Sequence, residues 1–404
     1  MYAYVLFIYI KIIIHNASRD LKNYLLLGLF LSLLHLMTQA FTQLLLKWNN
    51  SSNHRPMPWK GEKDPYKIWL SEIILQQTRV EQGWAYYEKF VNTYPTVHDL
   101  ANAKEEKVLK LWEGLGYYNR CKNLIFSARY ISKELNGVFP NDYESILSLK
   151  GVGPYTAAAI ASFAYNLPYA VVDGNVFRVL ARFYGIHTPT DTQEGIHLFN
   201  QIADENLSKK QAGIYNQALM DFGATVCKPS TPNCASCVMK KKCVAFLNNQ
   251  VNQLPIKVKS IERKKRYFDF FCFFSNGKWL VQKRLEGDIW GGLYQFYLNE
   301  NKSVPPVTLG YLHEVLVNQL GISSKEISIP LKQLKQNYEP VSPIYNQALT
   351  HQLLQARFIL VKFDTIPAVF SKALWVNQKQ LKQLPFPKII NQFLGQDFIN
   401  WCKT

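Results

Sequence analysis

Acidic residues are scarce in this sequence. They number 29 against 46 lysines and arginines, so the chain of 404 residues carries a formal charge of +17. Such an excess favours a polyanionic partner, either nucleic acid or an anionic membrane surface. Repeats of solenoid period are lacking, while 48% of the residues are hydrophobic. The chain is therefore expected to form two or three globular domains rather than a repeat array.

Long apolar runs are also lacking, and none reaches the roughly 20 residues that a membrane-spanning helix needs. Two shorter runs lie within residues 1–36, MYAYVLFIYIKIII and NYLLLGLFLSLLHL. No positive charge precedes the first run and no A-x-A site follows, so the segment is a poor signal peptide. An interfacial anchor, an extra hydrophobic helix pair and translated upstream sequence are all open. We favour the last, because the composition changes at Met37.

Cysteine is too sparse for a secreted disulfide framework, since there are seven, an odd number. Four of them form the pattern Cys227-x6-Cys234-x2-Cys237-x5-Cys243. The pattern predicts a structural metal site in a reducing compartment. One compact loop with four thiols matches a [4Fe–4S] cluster better than zinc. Zinc is the alternative, although its ribbons usually separate two C-x2-C pairs by a longer insert.

The stretch 143–185 predicts two short helices joined by a turn that contains Gly151 and Gly153. Two glycines in such a turn allow positive φ and a close approach to another molecule. The amides that begin the second helix can bind an anion. With Lys150 beside them, they predict a clamp for a phosphate backbone of any sequence.

Two carboxylates stand next to apolar runs. Asp64-Pro65 predicts the start of a helix over Tyr66–Val91, in which Glu72 is flanked by apolar residues. Burial would raise its pKa, as a general acid requires. Asp173 follows an apolar run and precedes Gly-Asn, which suggests a charge at the edge of a core. A solvent-exposed position is the simpler interpretation of either carboxylate.

The rest of the chain changes composition after the cysteines. Leu115–Arg120 is a Gly-aromatic-basic turn suited to stacking on a base or wedging between bases. From Asn248 the chain is linker-like and carries a basic run up to Arg266. Alternating strands at 267–275, 278–283 and 358–363, with helices near 312–320 and 377–383, then predict a small α+β domain over 263–404.

Together these motifs resemble the MutY family of adenine DNA glycosylases, within the helix–hairpin–helix superfamily. The resemblance runs from about Met37 to the C-terminus, with the motifs in the family's order. They are Pro58-Trp59, Trp69–Thr78, Leu115–Arg120, Leu149–Thr156, Asp173-Gly174-Asn175-Val176, Asn216–Gly223, the four-cysteine loop and Trp290-Gly291-Gly292-Leu293-Tyr294.

The resemblance implies a multidomain fold. An all-α helix–hairpin–helix glycosylase domain would span 37–250 and carry the iron–sulfur loop at 227–243. A linker at 251–262 would lead to an α+β Nudix-like domain over 263–404 that recognises 8-oxoguanine. Residues 1–36 would then be a hydrophobic extension outside the working protein.

The implied enzyme flips adenine, mispaired with 8-oxoguanine or guanine, out of double-stranded DNA and hydrolyses its N-glycosidic bond in base-excision repair. Glu72 would protonate adenine and later steer water, Asp173 would stabilise the oxocarbenium-like sugar, and Asn175 would help hold substrate and water. Tyr155 stands where bifunctional, endonuclease III-like cousins have a nucleophilic lysine, which predicts a monofunctional glycosylase.

Contacts to the base and the DNA are implied in the same way. Arg55, Trp59 and Gln217 would line the adenine pocket. The implied DNA-binding residues are Gln76, Gln77, Tyr117, Lys150, Gly151 and Gly153. The enzyme would be a monomer with a [4Fe–4S] cluster and no nucleotide cofactor, in the prokaryotic cytoplasm at the nucleoid.

The C-terminal domain departs from the family in its lesion-reading loop. Leu349-Thr350-His351 stands where Phe-Ser-His is typical, so Thr350 would supply the hydroxyl beside His351. Nudix hydrolysis is not expected, because only Glu300 and Glu314 lie where a glutamate-rich metal-binding helix is required.

Two other functions compete with this interpretation. A related glycosylase for another mismatch, such as G·T, is disfavoured by the lesion-reading domain and by Gln217. A non-catalytic iron–sulfur protein that binds DNA or a membrane is disfavoured because Glu72 and Asp173 are both present.

Overall fold

A computed structural model describes residues 21–258, 262–323, 326, 341–396 and 398, with side chains from Met37 onward. The chain divides into two compact units. The first contains the residues up to Asp99 and Phe126–Lys259, and the second contains Leu100–Ile125 and Ser260–Thr404. In the described ranges no helix is long and apolar enough to cross a membrane. The first apolar run of residues 1–36 lies outside the described residues.

Helices account for most of the chain before residue 258. In order they are α1 (Leu21–Ser52), α2 (Pro65–Leu75), α3 (Val80–Thr93), α4 (Val97–Asn102), α5 (Glu105–Leu111), α6 (Tyr118–Glu134), α7 (Tyr143–Leu147), α8 (Pro154–Tyr165), α9 (Gly174–Tyr184), α10 (Gln193–Asn206), α11 (Ala212–Thr225) and α12 (Val244–Leu247). Phe41 of α1, Phe183 of α9 and Phe222 of α11 are almost fully buried in one apolar core. This burial stabilises the helices by roughly 25 cal/mol per Å² of apolar surface removed from water.

Two helix boundaries differ from the sequence predictions. The amphipathic helix predicted from Met37 is continuous back to Leu21. The single helix predicted over Tyr66–Val91 is wrong, because α2 ends at Leu75 and α3 begins at Val80. Gln77 has φ of 55°, a left-handed conformation that no helix continues through. Gln76 and Gln77 therefore lie on a turn.

The predicted helix hairpin consists of α7, a turn and α8. Asp142 caps α7 by accepting the amide of Ser145 at 2.9 Å. Gly151 has φ of 85°, which requires glycine, whereas Gly153 has φ of −99° and serves as the N-cap of α8. The expectation of positive φ therefore holds for Gly151 alone.

The second unit contains a mixed sheet. Its strands are β1 (Lys264–Ser275), β2 (Lys278–Lys283), β3 (Tyr294–Gln295), β4 (Tyr297–Asn301), β5 (Tyr345–Ala348), β6 (Gln352–Lys362) and β7 (Leu374–Asn377). The main path is β3-β2-β1-β6-β5, with β4 on β1 and β7 on β2. β1 and β6 are parallel, with Lys264 opposite Gln352 and Phe274 opposite Lys362.

The second unit also contains helices that pack with this sheet. They are α13 (Leu309–His313), which continues as a π turn over Glu314–Gln319, α14 (Gln378–Leu381) and α15 (Lys388–Gln396). Leu316 of the π turn packs with Phe271 and Ile359 in an apolar core. The helix α15 was not predicted from the sequence; its Phe393 stacks on Phe358 with ring centroids 3.9 Å apart.

The segment Leu100–Ile125 belongs to the second unit although it precedes the sheet by more than a hundred residues. Glu106 Oε1 accepts the hydroxyl of Tyr294 at 2.6 Å. Glu113 Oε1 accepts the amide of Phe386 at 2.9 Å, and Lys122 Nζ donates to Glu286 Oε2 at 2.7 Å. The turn Leu115–Arg120 therefore lies in the same unit as the sheet.

Candidate active site

One cavity in the first unit gathers most of the catalytic and base-binding residues predicted from the sequence. Its volume of about 660 Å³ lies in the range of small-molecule pockets. The predicted residues that line it are Arg55, Trp59, Glu72, Gln76, Gln77, Gly153, Tyr155, Asp173, Asn175 and Gln217. They come from the loop between α1 and α2, from α2 and the turn after it, from the starts of α8 and α9, and from α11.

Glu72 lies in α2, and only 6% of its surface is exposed. Burial raises its pKa to about 7. A hydrogen bond with Tyr155 opposes this shift, and the charge of Asp173 adds to it. Because burial disfavours the charged form, Glu72 is poised to hold a proton near neutral pH.

Asp173 is the N-cap of α9, and its surroundings differ from those of Glu72. Oδ1 accepts the amides of Asn175 and Val176, each at 2.8 Å, and Oδ2 accepts Asn175 Nδ2 at 2.7 Å. Burial raises the pKa of Asp173, and these hydrogen bonds oppose that shift. Donors aimed at the carboxylate and the positive end of a helix dipole favour its ionised form.

Tyr155 lies at the start of α8 and contacts both sides of the cavity. Its hydroxyl is hydrogen-bonded with Glu72 and donates to Met220 Sδ at 3.6 Å. Burial, followed by the charge of Glu72, raises the Tyr155 pKa well above its ordinary value. The phenol therefore stays protonated and can donate a hydrogen bond to the Glu72 carboxylate.

Arg178 fixes Asn175 from one turn further along α9. Its Nη2 donates to Asn175 Oδ1 and to the carbonyl of Gly223, both at 2.8 Å. Its Nε donates to the carbonyl of Cys227 at 2.7 Å. This guanidinium therefore ties the Asp173–Asn175 cap to the end of α11 and to the first cysteine of the loop.

Asp221 is a site residue that the sequence analysis missed. Its carboxyl is fully buried and accepts Arg55 Nη1 and Gln217 Nε2, each at 3.0 Å. Asn53 and Lys60 donate to its other oxygen at 2.9 and 3.3 Å. The one sequence signal was its position four residues after Gln217, on the same face of α11.

The predicted phosphate-binding residues lie partly outside the cavity. Of Lys150, Gly151 and Gly153, only Gly153 lines it. Lys150 Nζ is 4.4 Å from the ring centroid of Phe126, and its carbonyl accepts Ser127 Oγ at 2.9 Å. The side chain is exposed at the hairpin and can contact a phosphate without displacing a buried partner.

The four cysteines of the 227–243 loop line one cavity. Arg182 Nη1 donates to Cys227 Sγ at 3.4 Å, and the amide of Met239 donates to Cys237 Sγ at the same distance. Among the residues described, no three Cys, His, Asp or Glu side chains converge in a way that could hold one metal ion.

Thr350 and His351, predicted to read the lesion, and Tyr117, predicted to contact the DNA, lie in the second unit. Tyr117 has φ of 48° and is 46% exposed. Its hydroxyl shares a short hydrogen bond with the hydroxyl of Thr350. The backbone carbonyl of His351 accepts the amide of Lys264 at 2.9 Å. The fold thus brings Thr350 and Tyr117 together, and His351 contacts Lys264 through its main chain.

Family models match both units. The model of the HhH-GPD superfamily of base excision DNA repair proteins matches residues 70–201, and a NUDIX domain model matches residues 270–396. The fold and the cavity therefore define a helix–hairpin–helix DNA repair glycosylase with a Nudix-like domain, and the predicted fold class is confirmed.

Two adenine DNA glycosylases among the relatives of this chain narrow this class. The chain is 32% identical to the adenine DNA glycosylase of Buchnera aphidicola subsp. Acyrthosiphon pisum, over 88% of this chain and 96% of the relative. It is 38% identical to that of the subspecies Baizongia pistaciae, over 64% and 74%. A thermostable thymine-DNA glycosylase of known structure is 29% identical, with a TM-score of 0.49 over 52% of this chain and 97% of that one. The chain belongs to the adenine DNA glycosylase family, whose enzymes act in base-excision DNA repair.

Proposed function

We propose that this adenine DNA glycosylase excises adenine paired with 8-oxoguanine, or with guanine, and leaves an abasic site. The supporting observation is the pair Glu72 and Asp173 on one cavity. Burial raises the pKa of Glu72 to about 7, while Asp173 accepts three hydrogen bonds. A neutral acid beside an ionised carboxylate is what glycosidic bond hydrolysis requires.

The proposed reaction uses these groups in order. Glu72 donates its proton to the flipped adenine, the C1′–N9 bond breaks, and the bonding pair leaves with the base. The carboxylate of Asp173 stabilises the positive charge that develops on the sugar. Water, held by Asn175, then adds to C1′ and gives its proton to Glu72, which regenerates the acid.

Strand cleavage is not part of the proposal. A bifunctional glycosylase needs an amine that forms a Schiff base with the sugar. Tyr155 lines the cavity instead of a lysine and is hydrogen-bonded with Glu72. The phenol cannot form a Schiff base, so the product is an intact strand with an abasic site.

DNA contacts follow from the surface around the cavity. Extruding a base costs a few kcal/mol, and Gln76 and Gln77, on the turn between α2 and α3, would fill the gap. Gly151 and Gly153, with Lys150, would hold the phosphate backbone. The net charge of +17 predicts binding that weakens steeply with salt. We expect a monomer that acts on chromosomal DNA in the cytoplasm.

Lesion reading is assigned to the second unit. Thr350 and Tyr117 each carry a hydroxyl, and the two share a hydrogen bond. Thr350 would contact 8-oxoguanine with His351 beside it, while the exposed ring of Tyr117 would stack on a neighbouring base.

A [4Fe–4S] cluster is proposed for the cysteine loop. The thiols of Cys227, Cys234, Cys237 and Cys243 line a common cavity. All four fall within one compact loop, which suits the four thiolates of a cube better than the longer insert usual in zinc ribbons. The cluster would hold the loop and, through Cys227, the end of α9.

Single-turnover adenine release from a duplex with one A·8-oxoguanine pair tests the function. The wild type is compared with Glu72→Gln, Asp173→Asn and, as a control, Glu81→Gln at an exposed acid of α3. We expect the first two rates to fall by orders of magnitude and the control to keep its rate. A folded wild type that binds DNA without releasing adenine would favour a binding role, and release from G·T alone would favour another mismatch.

A further inference from the structure

A second cavity, of about 220 Å³, adjoins the active cavity in the first unit. The two share Trp59, Glu72 and Gln217 in their linings. These are the proton donor and two of the three residues proposed to hold adenine. A base seated against them therefore faces both cavities.

The far linings of the two cavities differ. Gln76, Gln77 and Gly153, on the proposed DNA side, line only the first. Lys63, Phe163 and Ile214 line only the second. The residues proposed to hold DNA therefore lie outside the lining of the second cavity.

This second cavity opens to solvent. Ile214 is 50% exposed, and Lys60 and Lys63 at the rim are exposed as well. Lys63 Nζ donates to the carbonyl of Phe163 at 2.9 Å, which joins the loop before α2 to α8 across the lining. This hydrogen bond therefore links two parts of the lining, and the rim of the second cavity is exposed to solvent.

We infer that the second cavity is the exit route of the excised adenine, which leaves while abasic DNA still covers the first. The inference rests on the proposed function. Once the C1′–N9 bond has broken, adenine is a neutral planar molecule with no bond to the DNA. The bound strand blocks its way back, whereas Trp59, Ile68 and Phe163 offer apolar and aromatic surface along the other side.

Ile214→Trp narrows the proposed exit without touching a residue assigned to catalysis. Ile196→Trp is the matched control, because Ile196 is 46% exposed on α10 and lines neither cavity. Ile214→Ala, which widens the mouth, is the second variant. All are assayed as the full chain on a duplex with labelled adenine opposite 8-oxoguanine.

Three rates are measured for each variant. Alkaline quenching counts abasic sites, rapid filtration under native conditions counts free adenine, and a competitor trap gives the rate of duplex release. In the wild type and in Ile214→Ala we expect free adenine to appear before the duplex dissociates. Ile214→Trp should form abasic sites within about twofold of the wild-type rate but release adenine at least about tenfold more slowly, and Ile196→Trp should match the wild type.

The outcomes separate the two ideas. Wild-type adenine that appears only as the duplex dissociates would overturn the exit route, and so would equal adenine release by Ile214→Trp and Ile196→Trp. If the wild type forms no abasic sites at all, the proposed function fails instead.

Discussion

The candidate catalytic cavity of the first unit and the proposed lesion-reading pair of the second, Tyr117 and Thr350, hold their polar groups in different ways. In the cavity, Asp173 accepts three hydrogen bonds, and Arg178 donates to a side chain and to backbone carbonyls of two other segments. In the second unit, one hydrogen bond joins Tyr117 to Thr350, and the tyrosine is half exposed. The first arrangement is half-buried to buried and is held by several hydrogen bonds, whereas the second is a single hydrogen bond that is open to water.

This difference sets the size of the effects expected from mutation. A buried partner that is removed leaves its neighbours unsatisfied, which costs more than the hydrogen bond itself. When one partner of a half-exposed hydrogen bond is removed, water bonds to the other partner, and the net loss of free energy is about 1 kcal/mol. Chemistry requires fixed geometry, while discrimination between two bases requires only a small difference in free energy. We therefore expect losses to decrease from the cavity to the lesion-reading pair.

Among the residues that position the site, Arg178→Met should give the largest loss. It removes the donors to Asn175 Oδ1 and to the carbonyls of Gly223 and Cys227. We expect unfolding in urea to become easier by about 3 kcal/mol and single-turnover adenine release to slow by about 100-fold. Lys133→Met, at an exposed position of α6, is the control. A loss of stability with an unchanged rate would limit Arg178 to holding the fold.

The pH dependence of adenine release should come next. Glu72 has a pKa of about 7 and must be protonated to act as an acid. The single-turnover rate should therefore fall about tenfold per pH unit above pH 7. It should fall again in acid, where Asp173, whose pKa is raised by burial, takes up a proton. The pH–rate profile is measured on the wild type and on Asp221→Asn. This variant should keep the alkaline limb, the fall in rate above pH 7, because Asp221 donates and accepts no hydrogen bond with Glu72. A rate that is flat to pH 9 would remove Glu72 from this role.

The raised pKa of Glu72 also makes the free energy of unfolding depend on pH. The folded pKa of Glu72 is raised from 4.5 to about 7, so the folded state binds the extra proton between these values. The stability it contributes is fully present below pH 4.5 and is lost as the pH rises to about 7, at about 1.4 kcal/mol per unit. Urea unfolding of the wild type minus that of Glu72→Gln isolates this contribution from that of Asp173, whose pKa is raised as well.

Local signals in the sequence were sufficient for parts of this structure. Asp64-Pro65 predicted the start of α2, and this is confirmed, since Asp64 accepts the amide of Tyr66 at 2.9 Å. The strands at 267–275 and 278–283 lie within β1 and β2 because alternation of apolar residues is a property of each strand alone. The carboxylates Glu72 and Asp173 stood out because each adjoins an apolar run.

One local backbone conformation and several contacts between distant residues could not be predicted from the sequence. The break at Gln77 requires a left-handed glutamine, which no turn motif in the sequence marks. The burial of Asp221 depends on Arg55 and Lys60, more than 150 positions earlier. Similarly, Glu113 finds its partner in the amide of Phe386, 273 positions away. Contacts of this kind arise from the assembled fold and leave no local pattern.

Tyr155→Phe should have a smaller effect than any change at Arg178. It removes the hydroxyl whose hydrogen bond lowers the Glu72 pKa. The alkaline limb of the rate profile should therefore move to higher pH, with a change of less than about threefold at pH 7. Met220→Leu is a matched control, because it removes the other contact of the Tyr155 hydroxyl without touching Glu72. A limb that moves to lower pH would contradict the assignment.

The smallest effects should come from the lesion-reading pair. Thr350→Ala and Tyr117→Phe each remove one hydroxyl of a single exposed hydrogen bond, so each should lower the ratio of A·8-oxoguanine to A·G single-turnover rates by about three- to tenfold. Thr350→Ser, which keeps the hydroxyl, should preserve the ratio. The double variant decides how the pair acts. If Tyr117 positions Thr350, the two losses will not add, because either change alone already breaks the shared bond. Additive losses would mean that each hydroxyl contacts the DNA independently. A loss as large as that of Arg178→Met would contradict the expected order of effects, because it would mean that bound DNA fixes this exposed pair as strongly as the protein fixes the cavity.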